Sequence, residues 1–287
     1  MNDSVAIDNS RVTEVAAILE GRYGKYPDES SCPVLDQLVW FLLSTRTTVK
    51  NCDAAYSALR ASYPNWETVA EAEPEYVGER LRPAGLFRAR AANLKASLTK
   101  IRERFGSVSL EGLRSWSDED CEGFLRSLPG VGLKVARCVL AFGLGRRRFA
   151  VDAHIWRVTR RLGWHSFPGD APTERGADAI QVLALGAADP LSLHVNLIRL
   201  GREFCPAGEP RCGTCPLASL CPRGPYRAVS SRGSEQYALE GAQQCPILLA
   251  AWRHSELYIY HFQLGAQGGS RDEQGIRFTF GNGKRRP

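Results

Sequence analysis

Cys205, Cys212, Cys215 and Cys221 are spaced C-x6-C-x2-C-x5-C, and no other feature of the chain limits its local fold so closely. Four thiolates within 17 residues can wrap one compact centre from a single loop. Pro206, Gly208, Pro210, Gly213 and Pro216 lie among them. Proline removes an amide donor and glycine admits tight turns, so a regular helix cannot run through most of this stretch. Such a ligand set can hold tetrahedral zinc or a [4Fe–4S] cube. Zinc ribbons usually carry two separated C-x2-C knuckles. One such pair in a single uneven loop favours the [4Fe–4S] cluster. Four protein ligands leave no open position, so its expected role is structural or redox-sensing.

The remaining five cysteines, Cys32, Cys52, Cys121, Cys138 and Cys245, are scattered and read as core or surface thiols. Disulfides are not expected, because the first residues, Met1-Asn2-Asp3-Ser4, lack a secretion signal and a reducing, cytoplasmic setting follows. The longest early apolar run, 38–43, is too short to span a bilayer, so no membrane partner is expected. Hydrophobic residues make up 44% and charged residues 24% of the 287, enough for a sizeable core. A formal charge of +6 tolerates a polyanionic partner without requiring one. A monomer is the expected state.

Apolar residues recur at helical spacing over 12–23, 34–43, 49–62 and 87–105, with Gly24, Gly85 and Gly106 as stops. Further helices are expected over 117–127, 133–144, 153–162 and 191–204, the first capped by Ser117 or Asp118. Strand signals are almost absent before residue 225, so the fold class is all-α. A Gly/Ser/Pro/Arg-rich linker follows over 223–234, and 246–251 and 257–264 could form strands. The segment ends in Lys284-Arg285-Arg286.

Leu128-Pro129-Gly130-Val131-Gly132 lies between two helical stretches and reads as a helix–hairpin–helix. Its glycines permit a tight turn and leave amides at a helix start, where the dipole can hold a phosphate oxygen without reading sequence. Alone, the motif could be an ordinary interhelical turn. Lys134 sits in the first turn of the second helix, where a cation opposes the dipole. A neutral lysine amine can attack a carbonyl or sugar C1′ and form a Schiff base; a phosphate-steering lysine is the simpler alternative. Asp152, at the start of the next helix, can be an N-cap, and can also stabilise oxocarbenium-like charge and relay protons. Capping would fix the direction in which that carboxylate works.

Taken together, Leu128–Lys134, then Val151-Asp152-Ala153-His154-Ile155 eighteen residues beyond the lysine, then the four-cysteine loop, resemble the endonuclease III branch of the helix–hairpin–helix glycosylases. The resemblance covers about residues 11–222 and includes Leu42-Leu43-Ser44-Thr45 and Pro210-Arg211-Cys212-Gly213-Thr214-Cys215. It implies a base-excision DNA glycosylase with abasic-site lyase activity on lesion-bearing duplex DNA. Lys134 then falls on the Schiff-base lysine and Asp152 on the catalytic aspartate, with Pro129, Gly130, Val131 and Gly132 gripping the backbone. It further implies a helical barrel domain at 30–145, a cluster domain from 1–29 and 146–222, and a DNA groove between them into which the target nucleotide is flipped. Residues 223–287 form an extension beyond it. Two alternatives stand beside this expectation: a monofunctional mismatch or alkylated-base glycosylase, and a non-catalytic DNA-binding protein bearing the cluster.

One departure matters. The family commonly follows Leu-Leu-Ser with a small residue and then a glutamine that fills the gap left by the flipped base. Here Arg46 holds that position, and the Arg46-Thr47-Thr48 stretch is similar to that of some mismatch-type relatives. His154 and His194 read as packing residues. Arg146-Arg147-Arg148 is divided between phosphate contact and a solvated loop.

Overall fold

The structure, a computed structural model, describes residues 9–27 and 32–224. The linker beyond residue 224, the two strand-like stretches, Cys245 and the terminal basic residues lie outside the described residues. Those described belong to a single unit, Met1–Arg232.

All eight expected helices are present: α1 (Asn9–Tyr23), α2 (Val34–Ser44), α3 (Val49–Ser62), α6 (Phe87–Phe105), α7 (Asp118–Arg126), α8 (Leu133–Cys138), α9 (Ala153–Arg161) and α11 (Pro190–Glu203). No strand occurs among the described residues. The start and stop chemistry is local. Gly24, at φ +78°, ends α1 by donating its amide to Glu20 O at 2.8 Å. Ser117 Oγ accepts the Asp120 amide at 3.1 Å and opens α7. Gly106, at φ +75°, closes α6.

Three further helices are α4 (Trp66–Glu71), α5 (Pro74–Leu81) and α10 (Glu174–Ala184). The first two are too short for a periodic apolar pattern to register; the Asn65 side chain caps one and Pro74 at the first position starts the other. In α10 the sequence carries Gly176 in the first turn, a poor helix former. Packing explains it: a Cβ there would come within 2.5 Å of the Trp156 ring.

The helix expected over 133–144 is not uniform. After α8 the chain widens into a π-turn, Val139–Gly143, with Leu144 N bonded to Val139 O at 3.1 Å. All five residues are buried, and Gly143 backs onto Val34 and Gln37 of α2. A π-turn shifts the phase of the residues after it while keeping the backbone bonded.

The main apolar cluster joins distant segments of the chain. Val12, Val15 and Leu19 of α1 pack with Val151, Ile155 and Trp156, with Ile180 of α10, with Leu197 and Leu200 of α11, and with Leu217. Each fully buried side chain of this size contributes roughly 1.5–3 kcal/mol. The half-buried Cys205, Cys215 and Cys221 lie against this same cluster, so the cysteine loop shares its core with α1. The helices from α2 to α8 pack among themselves, α2 on α3, α6 and α8, and α5 on α3 and α6. Asp36 of α2 is buried there, and Tyr56 donates to it at 2.5 Å. Burial pushes its carboxyl above the usual range, against the pull of that bond.

Candidate active site

The hairpin between α7 and α8 is built on α6. Leu128 N bonds to Leu125 O at 3.0 Å, and Val131 N to Leu128 O at 3.1 Å. Gly130 between them is at φ +81°, and a Cβ would stand 2.8 Å from Asn93 Nδ2 of α6. From the same helix, Ser97 Oγ donates to Pro129 O at 3.2 Å and Lys100 Nζ to Ser127 O at 2.9 Å. Val131 points inward at 6% exposure, leaving Gly130 and Gly132 exposed and Pro129 half-buried. Gly132 is the N-cap of α8, and no side chain caps that helix. The first amides of a helix have no partner within it. Here they start an uncapped helix beside an exposed turn.

Lys134 occupies the second position of α8, half-buried, with Nζ 5.8 Å from the centroid of the Phe41 ring. Asp152 is the N-cap of α9, and its Oδ1 accepts the Ile155 amide at 2.8 Å. Two buried groups bring these residues together. Cys138 is pushed up to about 11 by burial, with the Lys134 charge pulling it down and the Asp152 charge pushing it up. His194 of α11 is pushed down to about 4 by burial and feels the same two charges, Asp152 raising it and Lys134 lowering it. Lys134 and Asp152 are therefore both within electrostatic reach of Cys138 and of His194.

His194 is neutral there. Its Nδ1 donates to Ala150 O at 3.0 Å, two residues before Asp152, and its ring packs edge-on against Phe142 and Phe149. It is a packing residue, as expected from the sequence, but it packs directly behind the candidate site. Phe41, Cys138 and Arg90 carried no distinguishing signal in the sequence. His154 is half-buried against Gly201 of α11, and its Nδ1 lies 3.0 Å from Arg157 Nη2.

Arg46 is exposed in the loop after α2, at φ +52°. The buried Arg90 of α6 holds this loop through Leu42 O at 2.7 Å and Thr45 Oγ1 at 3.2 Å.

The arginine run is tied to its surroundings, with Arg147 exposed and Arg146 and Arg148 half-buried. Arg146 pairs with Asp118 at 3.5 Å and donates to Arg114 O at 2.8 Å. Arg147 donates to Leu185 O at 2.9 Å, and Arg148 pairs with Asp118 at 3.3 Å and with Glu119. Each of the three thus has a partner elsewhere in the chain.

The four loop cysteines are half-buried and close enough to interact. The Cys215 thiol is pushed up by burial first, and then by the charges of Cys205, Cys221 and Cys212. Among the described residues, no three His, Cys, Asp or Glu side chains are drawn together as one metal ion requires. A [4Fe–4S] cube, whose thiolates bind separate irons, spaces its ligands more widely than a single ion does. Helix α9 grips the loop: Arg157 Nε donates to Cys205 O at 2.8 Å, and Arg161 Nη1 donates to Cys205 Sγ at 3.1 Å and Pro206 O at 2.8 Å. Cys32, Cys52, Cys121 and Cys138 are buried. No helix among the described residues is long and apolar enough to cross a membrane.

An all-helical unit whose hairpin opens an uncapped helix, with a lysine in that helix's first turn, has a helix–hairpin–helix architecture. Comparison with known proteins agrees. Residues 39–180 match the family described as "HhH-GPD superfamily base excision DNA repair protein". An Arabidopsis thaliana protein, provisionally named a DNA glycosylase, is 37% identical over 131 residues, covering 46% of this chain and 45% of that one. The chain thus matches less than half of that relative's length. Endonuclease III of Synechocystis sp. is 29% identical over 224 residues, 76% of this chain and 94% of the other. A solved endonuclease III trapped in a covalent intermediate with DNA superposes with a TM-score of 0.63 at 22% identity, covering 78% of this chain and 100% of that one. Residues 39–180 thus match the HhH-GPD superfamily, and the chain is endonuclease III-like; the solved structure shows the shared fold.

Proposed function

We propose that this protein is a base-excision DNA glycosylase with abasic-site lyase activity, acting on duplex DNA through Lys134. The placement of two residues carries the reading: Lys134 lies in the first turn of the uncapped helix that follows the hairpin, Asp152 caps α9, and both are within electrostatic reach of the buried Cys138 and His194. The barrel domain spans 30–145, and the cluster domain combines residues 1–29 with 146–222. The DNA groove lies between them; 223–287 is an extension, and a monomer acts on one lesion.

The exposed turn at Gly130 and Gly132 and the start of α8 hold the DNA backbone while the damaged nucleotide is extruded. The Lys134 amine gives up a proton and bonds to C1′ as the glycosidic bond breaks, and the base leaves with that electron pair and takes a proton. Asp152 stabilises positive charge building on the sugar and relays protons. Opening of the sugar gives an imine on Lys134, loss of a C2′ proton expels the 3′ phosphate, and water releases the enzyme. Arg46 contacts the strand opposite the vacated position.

Cys205, Cys212, Cys215 and Cys221 would hold a [4Fe–4S] cluster. Bound there, it supplies a cross-link for the loop or a redox response, with no open site for substrate.

Borohydride trapping on an abasic-site duplex tests the mechanism. A covalent adduct that disappears in Lys134→Gln is expected. Base release without any adduct would replace this mechanism with the monofunctional one, in which water attacks. If Lys134→Gln and Asp152→Asn leave every DNA activity unchanged, the protein is a non-catalytic DNA binder.

A further inference from the structure

We propose that Arg90 is a positioning residue that locks Arg46 and Leu86 into one rigid edge of the DNA-facing surface. The inference rests on the reading of Arg46 as a DNA contact. Only two non-glycine residues among those described have positive φ: Arg46 at +52° and Leu86 at +49°. They lie in different loops, forty positions apart, and both are exposed, Leu86 at 62%. A left-handed conformation is costly for a residue with a Cβ and persists only where the surroundings over-determine it. Here the two strained residues share one restraint.

That restraint is the Arg90 guanidinium, in a residue only 9% exposed. Nε donates to Gly85 O at 2.8 Å; Nη1 donates to Leu42 O at 2.7 Å and Thr45 Oγ1 at 3.2 Å; Nη2 donates to Thr45 O at 2.5 Å and Ala84 O at 3.4 Å. A guanidinium has five N–H donors, and five acceptors meet them. Thr45 and Gly85 immediately precede Arg46 and Leu86. The buried charge faces carbonyls at the C-terminal ends of α2 and of the short 3-10 turn Arg82–Ala84, which carry negative partial charge. Lysine has three donors and no fork, so it cannot bridge both loops.

Two readouts on the full chain test this. Without DNA, amide exchange in Arg90→Lys is expected to quicken together over 43–47 and 84–87, with the rest of the unit unchanged. On lesion duplexes with each of the four opposite bases, Arg90→Lys is expected to raise KM about tenfold with kcat nearly unchanged, and to flatten opposite-base discrimination as Arg46→Ala does. Thr45→Val, which removes one acceptor, should give the same pattern more weakly and serves if Arg90→Lys fails to fold. Faster exchange in one loop alone or in neither, or a fall in kcat with discrimination intact, overturns the proposal. The exchange result stands even where the wild-type protein shows no DNA activity, so the failure of that reading is separately visible.

Discussion

Asp152 Oδ1 accepts the backbone amide of Ile155 at 2.8 Å, so the carboxylate assigned to stabilise charge on the sugar is also the cap that starts α9. The two roles separate by substitution. Asp152→Asn keeps a capping oxygen and should change stability by less than about 0.5 kcal/mol, whereas Asp152→Ala should cost about 0.5–2 kcal/mol. Both should lower turnover by at least about 100-fold. Thermal melts beside single-turnover kinetics make the comparison. An Asp152→Asn protein with normal turnover would reduce the residue to a cap.

The hairpin glycines are not equivalent. Gly130 combines φ +81° with a close Asn93 neighbour, so Gly130→Ala should destabilise the fold by roughly 1–3 kcal/mol and loosen the turn. Gly132, at φ −93° with open space around it, should accept alanine within about 1 kcal/mol. Denaturant titration of the two variants distinguishes them, and equal losses would contradict the geometry.

Burial holds His194 at about 4, below the usual histidine value of 6.5. The unfolded chain then binds more protons than the folded one between those values. Stability from this group is complete above about pH 6.5 and drains away as pH falls towards 4, by up to roughly 3 kcal/mol. His154 and His165 are also lowered by burial and add to the slope. Denaturation of wild type and His194→Asn at pH 5 and 7 isolates the His194 share. The variant should lose less stability on acidification, and identical slopes would show that His194 does not titrate as its burial requires.

Purified protein should be brown, with about four irons per chain. Cys212→Ser should lower iron and loosen the loop, read as faster proteolysis near 205–221. Stoichiometric zinc in a colourless protein would reassign the four thiolates.

The helices that position the site were legible where chemistry is local. Gly24, Gly106 and Ser117 mark helix ends through φ and capping, and both are encoded within a turn or two. The π-turn at Val139–Gly143 was hidden because it answers α2, a partner a hundred residues away. Helix α10 was hidden for a similar reason: Gly176 weakens the pattern to make room for Trp156. Lys134 and Asp152 were nameable from sequence, but what flanks them was not. Cys138 and His194 look like any buried thiol or imidazole until the fold brings both within electrostatic reach of the two candidate charges. Arg90 stands among other basic residues on α6, and only the five acceptors around it set it apart.

The cluster that joins Val12, Val15 and Leu19 to Leu197, Leu200 and Leu217 bears on how the chain is made. During synthesis α1 leaves the ribosome well before its partners exist. At ordinary elongation rates it waits on the order of ten to forty seconds with its apolar stripe uncovered. The segment between can collapse on its own helices meanwhile, so the nascent chain should gain its second core only when the final third emerges.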